Sequence, residues 1–95
     1  MNKLTLTASI TEASAQRYTP AGIPALDLAL DHESEQVQAG QLRKVKVSVK
    51  AIAIGPMAEV ISQLAIGSCH TFTGFLGSTR NAKGTLFHIQ SFESI

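Results

Sequence analysis

The chain has 95 residues, and its eight Lys and Arg nearly balance its seven Asp and Glu, which gives a formal net charge of +1. This length supports one hydrophobic core and therefore one domain, residues 1–95. The hydrophobic content of 44% excludes a disordered chain, and no apolar run approaches the ~18 residues of a membrane span. We expect no signal peptide and no membrane contact, and the single cysteine, Cys69, fits a reducing cytoplasm.

The two parts of the chain differ in charge. Residues 1–40 contain two basic and five acidic side chains, whereas residues 41–95 contain six basic and two acidic ones. The nearly neutral total therefore hides a basic second half. On charge alone this predicts either a local positive patch or an ordinary solubilising surface.

The first part of the chain alternates between apolar and polar residues. Alternation over residues 4–11 predicts a half-buried strand, and residues 18–22 contain the Pro and Gly of a turn. Alternation over residues 26–31 predicts a second strand. Residues 32–40 are polar and acidic and end at Gly40, so we predict a loop there.

The third predicted strand, residues 42–54, has the clearest pattern. One face consists of small and β-branched apolar residues, namely Val45, Val47, Val49, Ala51 and Ala53. The other face consists of Lys44, Lys46, Ser48 and Lys50. This alternation predicts a long strand with its valines in a core and a basic face in solvent.

A short helix is predicted next. Gly55 and Pro56 stop the strand and suit a helix start. Apolar residues then follow at positions i, i+3, i+4 and i+7, namely Met57, Val60, Ile61 and Leu64. Gly67 is the predicted C-cap.

The last part of the chain predicts two strands, residues 69–76 and 86–92, joined by a polar loop, residues 77–84. Gly74 inside the first of them indicates a bend or bulge. The order β-β-β-α-β-β predicts an all-β, five-stranded OB-fold barrel with one short helix between strands three and four. An SH3-like barrel is the competing small all-β fold.

Several segments resemble the bacterial single-stranded DNA-binding protein family. The start at residues 2–4 is similar, and the sequence R-Y-T-P-A-G at residues 17–22 resembles the family's turn. Residues 58–60, 67–68 and 72–74 are similar to its helix and fourth strand. The resemblance covers nearly all of the chain and implies an OB-fold that binds single-stranded DNA.

Two departures narrow this resemblance. The chain ends directly after its last strand, without the long acidic-tipped tail of the replicative members, and it contains no Trp. Residues 21–24 and 31–34 also resemble a short, cytoplasmic branch of the family. That resemblance implies a homodimer that acts with a primosomal helicase and other primosome proteins in restarting stalled replication forks.

Binding of single-stranded nucleic acid combines a cationic groove with aromatic platforms. The candidate DNA-binding residues are Arg17, Tyr18, Arg43, Lys44, Lys46, Lys50, Arg80 and Lys83. We expect the four Phe residues to be mostly core and Tyr18 either to stack or to brace its turn. Binding should therefore depend mainly on charge and weaken with salt by roughly 0.7 log units per phosphate contact per log unit of salt.

Catalysis and metal binding are not expected. Cys69 and His70 are neighbours on a strand and point to opposite faces, and no metal, nucleotide or protease motif is present, so we predict no enzyme, no metal and no cofactor. Asp27 and Asp31 are predicted to be solvated rather than an acid–base pair. Cys69 is expected to be a small core residue.

Two surfaces remain as candidates for protein partners. The uncharged outward face of the first strand, Thr5, Thr7, Ser9 and Thr11, suits pairing with a second copy. The acidic side chains Asp31, Glu33 and Glu35 are expected to lie away from the DNA face. The alternative function is therefore an OB-fold protein–protein adaptor with weak or lost nucleic-acid binding; RNA or an oligosaccharide are further possible ligands.

Overall fold

The strands form a closed barrel. A computed structural model describes residues 1–79 and 83–94 of the chain. Its elements are β1 (Leu4–Ala13), β2 (Arg17–Tyr18), β3 (Pro24–Gln38), β4 (Gln41–Ile54), α1 (Pro56–Ser62), β5 (Cys69–Ser78) and β6 (Thr85–Ser94). The five long strands are hydrogen-bonded in the order β1-β5-β6-β4-β3, and β3 pairs back onto β1. Only β4 and β6 are parallel among these pairs. The predicted OB-fold, with its helix between the third and fourth long strands, is confirmed.

The core fills the barrel and continues under α1. Phe72 and Phe87 are completely buried, and Ala58 and Ile61 of α1 are buried in the same cluster. The remaining buried apolar residues of this cluster are Ala8, Ile10, Leu26, Leu28, Leu30, Ala51, Ala53 and Ile89. Each strand contributes alternate residues, because successive side chains point to opposite faces of a strand.

The predicted loop at residues 32–40 is wrong. β3 continues to Gln38 and pairs with β4 from Gln41, so the two strands form one long hairpin. Its two-residue turn has positive φ at both positions, 53° at Ala39 and 75° at Gly40, as in the type I′ turns that suit the twist of a hairpin. The distal half of the hairpin projects beyond the core, so neither of its faces needs to be apolar.

The same projection corrects the prediction that all the valines of the third strand fill the core. Val49 packs against the core cluster, but Val47 is 43% exposed and Val45 is half-buried. The core face of β4 therefore begins near Val49 and is completed by the buried Ala51 and Ala53.

Two glycines behave as predicted and one does not. Gly55, with φ 80°, precedes α1, and Pro56 occupies its first turn. The strand register shifts between Thr73 and Gly74, which confirms the bulge. A side chain at Gly74 would collide with the carbonyl of His88. Gly67, however, is not the C-cap, because α1 ends at Ser62; Gly67 instead donates its N–H to the carbonyl of Ile10 at 2.7 Å.

Candidate nucleic-acid interface

The lysines of β4 lie on one outer face, as predicted. Lys44, Lys46 and Lys50 are exposed and alternate with residues that point toward the core side. The strand register sets Glu35 opposite Lys44 and Glu33 opposite Lys46. Directly opposite residues of an antiparallel pair point to the same face, so these carboxylates lie beside the lysines.

Glu33 forms ion pairs with two of the lysines. Its Oε1 lies 3.1 Å from Nζ of Lys44 and 3.7 Å from Nζ of Lys46. The hydrogen bond and charge of Lys44, and then the charge of Lys46, lower the pKa of Glu33. The prediction that the acidic side chains lie away from the lysine face is therefore wrong. Exposed pairs of this kind stabilise a fold little, so a phosphate group can take the place of the carboxylate.

Lys50 has a different environment. It lies opposite Ala29 rather than a carboxylate and contributes to a groove of about 680 Å³. The groove is formed by the end of β1, by residues 27–29 of β3 and by residues 50–51 of β4, and its lining includes the carboxylates of Glu12 and Asp27 beside Lys50. It is bordered by Ser14, which begins the segment between β1 and β2, and by Leu86, which follows the segment between β5 and β6. OB-folds bind oligonucleotides on this face, between the two corresponding loops.

Arg17 is held by a carboxylate beside this groove. Its Nε and Nη2 donate to the two carboxylate oxygens of Asp27 at 2.9 and 3.1 Å. This hydrogen bond and the charge of Asp27 raise the pKa of Arg17. Asp27 therefore acts as a partner of a cation rather than as part of an acid–base pair with Asp31. The neighbouring Tyr18 is 65% exposed and is available for stacking.

The other predicted cations are distributed differently. Arg43 lies opposite Gln36 on the face of the hairpin that Lys44 does not share. Lys83 is exposed at the end of the segment between β5 and β6. Thr79 and Gly84 close the base of that segment, since the N–H of Thr79 donates to the carbonyl of Gly84 at 3.0 Å. Arg80 lies outside the described residues.

An aromatic pair on the outer face was missed by the sequence analysis. Phe75 and His88 lie opposite each other on β5 and β6, and their rings stack with centroids 4.7 Å apart and an interplanar angle of 4°. The four Phe residues were expected to be mostly core, and the half-buried Phe75 is the exception, since Phe72 and Phe87 are buried and Phe92 packs against the core. Cys69 is likewise exposed rather than buried. The strand pattern already contained this signal, because residues 69, 71, 73 and 75 share one face.

His70 is a core residue. It is 7% exposed, its Nε2 lies 2.8 Å from Oγ of Ser68, and its ring meets those of Phe72 and Phe92 edge-on. Within residues 1–79 and 83–94, no group of three or more His, Cys, Asp or Glu is arranged to hold a metal ion. The described part of the chain also has no helix that is long and apolar enough to cross a membrane.

One edge of β1 is only partly paired. Along residues 4–8 the described strands pair with β1 only on the side of β5. On the other side, His32 Nδ1 lies 2.7 Å from the carbonyl oxygen of Thr7 and is positioned to donate to it. The outward hydroxyls of β1 meet those of β5, with Thr7 Oγ1 2.9 Å from Thr71 Oγ1. The predicted row of uncharged side chains on the outer face of β1 is thus present, and it lies beside the edge of residues 4–8 that does not pair with β3.

Comparison with known proteins agrees with this architecture. Residues 2–91 match a family model described as another single-strand binding protein family. Replication restart protein PriB of Neisseria gonorrhoeae is 40% identical over 93 residues, covering 97% of this chain and 92% of that protein. PriB of Bordetella pertussis is 44% identical over 80 residues, covering 84% and 75%.

The solved structures point the same way. PriB of Ralstonia solanacearum superposes with a TM-score of 0.90 at 35% identity, covering 99% of this chain and 97% of that one. The single-stranded DNA binding protein of Thermus aquaticus has a TM-score of 0.78 at 23% identity, covering 100% of this chain and 50% of that one, and supports the fold alone. The chain belongs to the PriB family of replication restart proteins, within the single-strand binding proteins.

Proposed function

We propose that this chain, as a single OB-fold domain, binds single-stranded DNA and acts in replication restart as an accessory protein of the primosome, with a primosomal helicase as partner. The observation that carries the proposal is the groove at Lys50. It lies on the OB-fold face that binds oligonucleotides, in a chain related to PriB over almost its whole length. We assign this role to the cytoplasm, where replication takes place in bacteria.

The cations of the proposed binding set differ in how readily they meet a phosphate. Lys50 faces Ala29 and is available at once. Lys44 and Lys46 must leave Glu33, and Arg17 must share Asp27. All these groups are exposed, so an incoming polyanion replaces weak pairs with several simultaneous phosphate contacts. Arg43, Arg80, Lys83 and Tyr18 complete the proposed binding set.

We further propose that the chain is a homodimer formed through β1. The open edge at residues 4–8 and its uncharged outward row are compatible with a second copy adding a strand there. The N–H of Thr7 points to this edge, on the side where its carbonyl already accepts from His32. Thr7→Pro should therefore yield a monomer in light scattering, while a dimer that persists in a folded Thr7→Pro variant would contradict this interface.

The DNA-binding proposal is tested by fluorescence anisotropy with labelled oligo(dT), matched RNA and duplex DNA at two salt concentrations. We expect salt-dependent binding that favours oligo(dT). The salt slope, which is the fall in the logarithm of the binding constant per log unit of salt, should be less steep by about 0.7 in Lys50→Gln. Binding to a purified primosomal helicase in the same buffer tests the partner. A wild-type protein that fails to bind oligo(dT) at low salt would refute the DNA-binding function.

The charge pairing of the hairpin favours a second candidate, an adaptor that binds proteins and has little affinity for DNA. Glu33 neutralises part of the row formed by Lys44 and Lys46. Helicase binding without oligo(dT) binding would establish this alternative and exclude the first proposal.

A further inference from the structure

A second concave surface lies on the outer side of the barrel, where β4, β5 and β6 adjoin. This recess has a volume of about 290 Å³. Its walls include Ile52, Ile54, Met57, the rings of Phe75 and His88, and the exposed amide side chain of Gln90. Of the described residues that line it, none is acidic. We call it the ring recess.

The rings of this recess are held in place by their neighbours. Because β6 lies between β5 and β4, His88 has Phe75 on one side and Ile52 on the other. A side chain at Gly77 would approach Nε2 of His88 to 2.8 Å, so the glycine leaves room for the imidazole. The stacked pair is thus held in one arrangement beside the recess, so a ligand that contacts it does not have to order the two rings.

We propose that the ring recess binds one nucleobase of single-stranded DNA, stacked on the aromatic pair Phe75–His88. This inference rests on the proposed DNA binding and deepens it. The volume is just below the roughly 300–1,000 Å³ of sites for drug-sized ligands, which suits a single planar ring system. The amide of Gln90 offers both donors and an acceptor to the edge of a base.

The position of the ring recess on β4 supports a nucleic acid rather than an unrelated ligand. Lys46, Lys50, Ile52 and Ile54 point to the same outer face of β4, and residues two apart on a strand are about 6.6–6.8 Å apart. The face therefore changes along its length from ammonium groups to apolar surface. A single strand lying along β4 places its phosphates at the lysines and a base in the ring recess.

The test separates stacking from charge. Phe75→Leu keeps an apolar residue but removes the ring, and it should bind oligo(dT) about 5- to 150-fold more weakly at every salt concentration. The salt slope should stay unchanged, because no phosphate contact is lost. Val60→Ala, an exposed apolar change on α1, serves as the matched control and should bind like the wild type.

An oligonucleotide with consecutive abasic sites completes a double-mutant cycle. If a base occupies the ring recess, abasic DNA binds the wild type more weakly, and Phe75→Leu causes no further loss with it. Equal binding of oligo(dT) by wild type and Phe75→Leu would overturn the inference while leaving DNA binding intact. An equal loss on both DNAs would overturn it as well.

A measurement on the unaltered protein covers the case in which Phe75→Leu does not fold. Oligonucleotides containing 5-iodouracil should crosslink on irradiation to the segment of β5 that contains Phe75 or to the segment of β6 that contains His88. Crosslinks confined to other segments would exclude a base in the ring recess. A wild-type protein that binds no oligonucleotide would instead refute the proposed function itself.

Discussion

The ion pairs of the hairpin lead to a sharp prediction for Glu33→Gln. The cluster of Lys44, Lys46 and Glu33 carries one net positive charge, and the substitution leaves two. When phosphates bind the lysines of the wild type, the displaced carboxylate of Glu33 attracts a cation from the solution, which offsets one of the cations that the DNA releases. The variant should therefore release one more counterion on binding, which steepens the salt slope by about 0.7.

The size of the effect on affinity follows from this slope. A fourfold reduction in salt, from 200 to 50 mM, changes the affinity by about 2.6-fold per released counterion. Glu33→Gln should thus bind oligo(dT) more tightly than the wild type, and its advantage should grow by about 2.6-fold over that range. Anisotropy titrations at four or five salt concentrations measure both the slope and the affinity.

Glu59→Gln is the matched control, because it makes the same change in net charge on α1, away from the hairpin. The control should leave the slope at the wild-type value. If both variants steepen the slope equally, the overall charge of the protein governs binding and the local pairing does not. If Glu33→Gln leaves the slope unchanged, DNA does not contact Lys44 or Lys46.

Three further outcomes follow from the same contacts. Lys44 lowers the pKa of Glu33, so this carboxylate stabilises the fold above its unfolded pKa of about 4.3 and loses that effect as the pH falls through its lower folded pKa. Phosphate binding at Lys44 and Lys46 opposes the ionisation of Glu33, so oligo(dT) affinity should rise over the same pH range, and it should rise more in the wild type than in Glu33→Gln. Phe72→Ala empties a completely buried site and should lower the free energy of unfolding in urea by about 3–5 kcal/mol, against at most about 0.5 for Val60→Ala. Ala39→Asn places a residue that tolerates positive φ in the hairpin turn and should stabilise it by up to about 1 kcal/mol, seen as slower amide exchange near the tip; faster exchange would contradict the turn geometry.

The barrel was predictable because its strands bury one face. Leu26, Leu28 and Leu30 alternate with polar residues, and the same period marks the other core-facing positions. The start of the helix at Gly55 and Pro56 was equally clear. Burial thus leaves a period in the sequence wherever a strand belongs to the core.

The distal hairpin was not predictable in this way, because it lies outside the core. Apart from the exposed Val37, residues 32–38 have polar side chains on both faces, and the segment is held by backbone pairing to β4. The partner of Glu33 depends on the register, and the register depends on the two-residue turn at Ala39 and Gly40. Because the sequence analysis did not identify this turn as that of a hairpin, it also did not predict the ion pairs of Glu33 with Lys44 and Lys46.

The position of Phe75 was missed for the opposite reason. Its place in the alternation of β5 puts it on the outer face with Cys69 and Thr71, but its size suggested the core. The periodicity was correct, and the expectation from residue type was wrong. For a strand outside the barrel interior, the position of a residue in the alternation is therefore a better guide to its face than its size.

The two kinds of contact on β4 should act independently. Lys46 and Ile52 are six residues apart on one strand, about 20 Å, which is beyond the 7–10 Å within which substitutions usually couple. Glu33→Gln should alter the salt slope, and Phe75→Leu should lower the affinity equally at all salt concentrations. The double variant should therefore combine the steeper slope of the first with the uniform loss of the second. If one DNA strand contacts both sites, the effects of the two substitutions on affinity and on salt slope should add. A double variant that departs markedly from this sum would contradict a DNA strand that runs along β4 from the lysines to the ring recess.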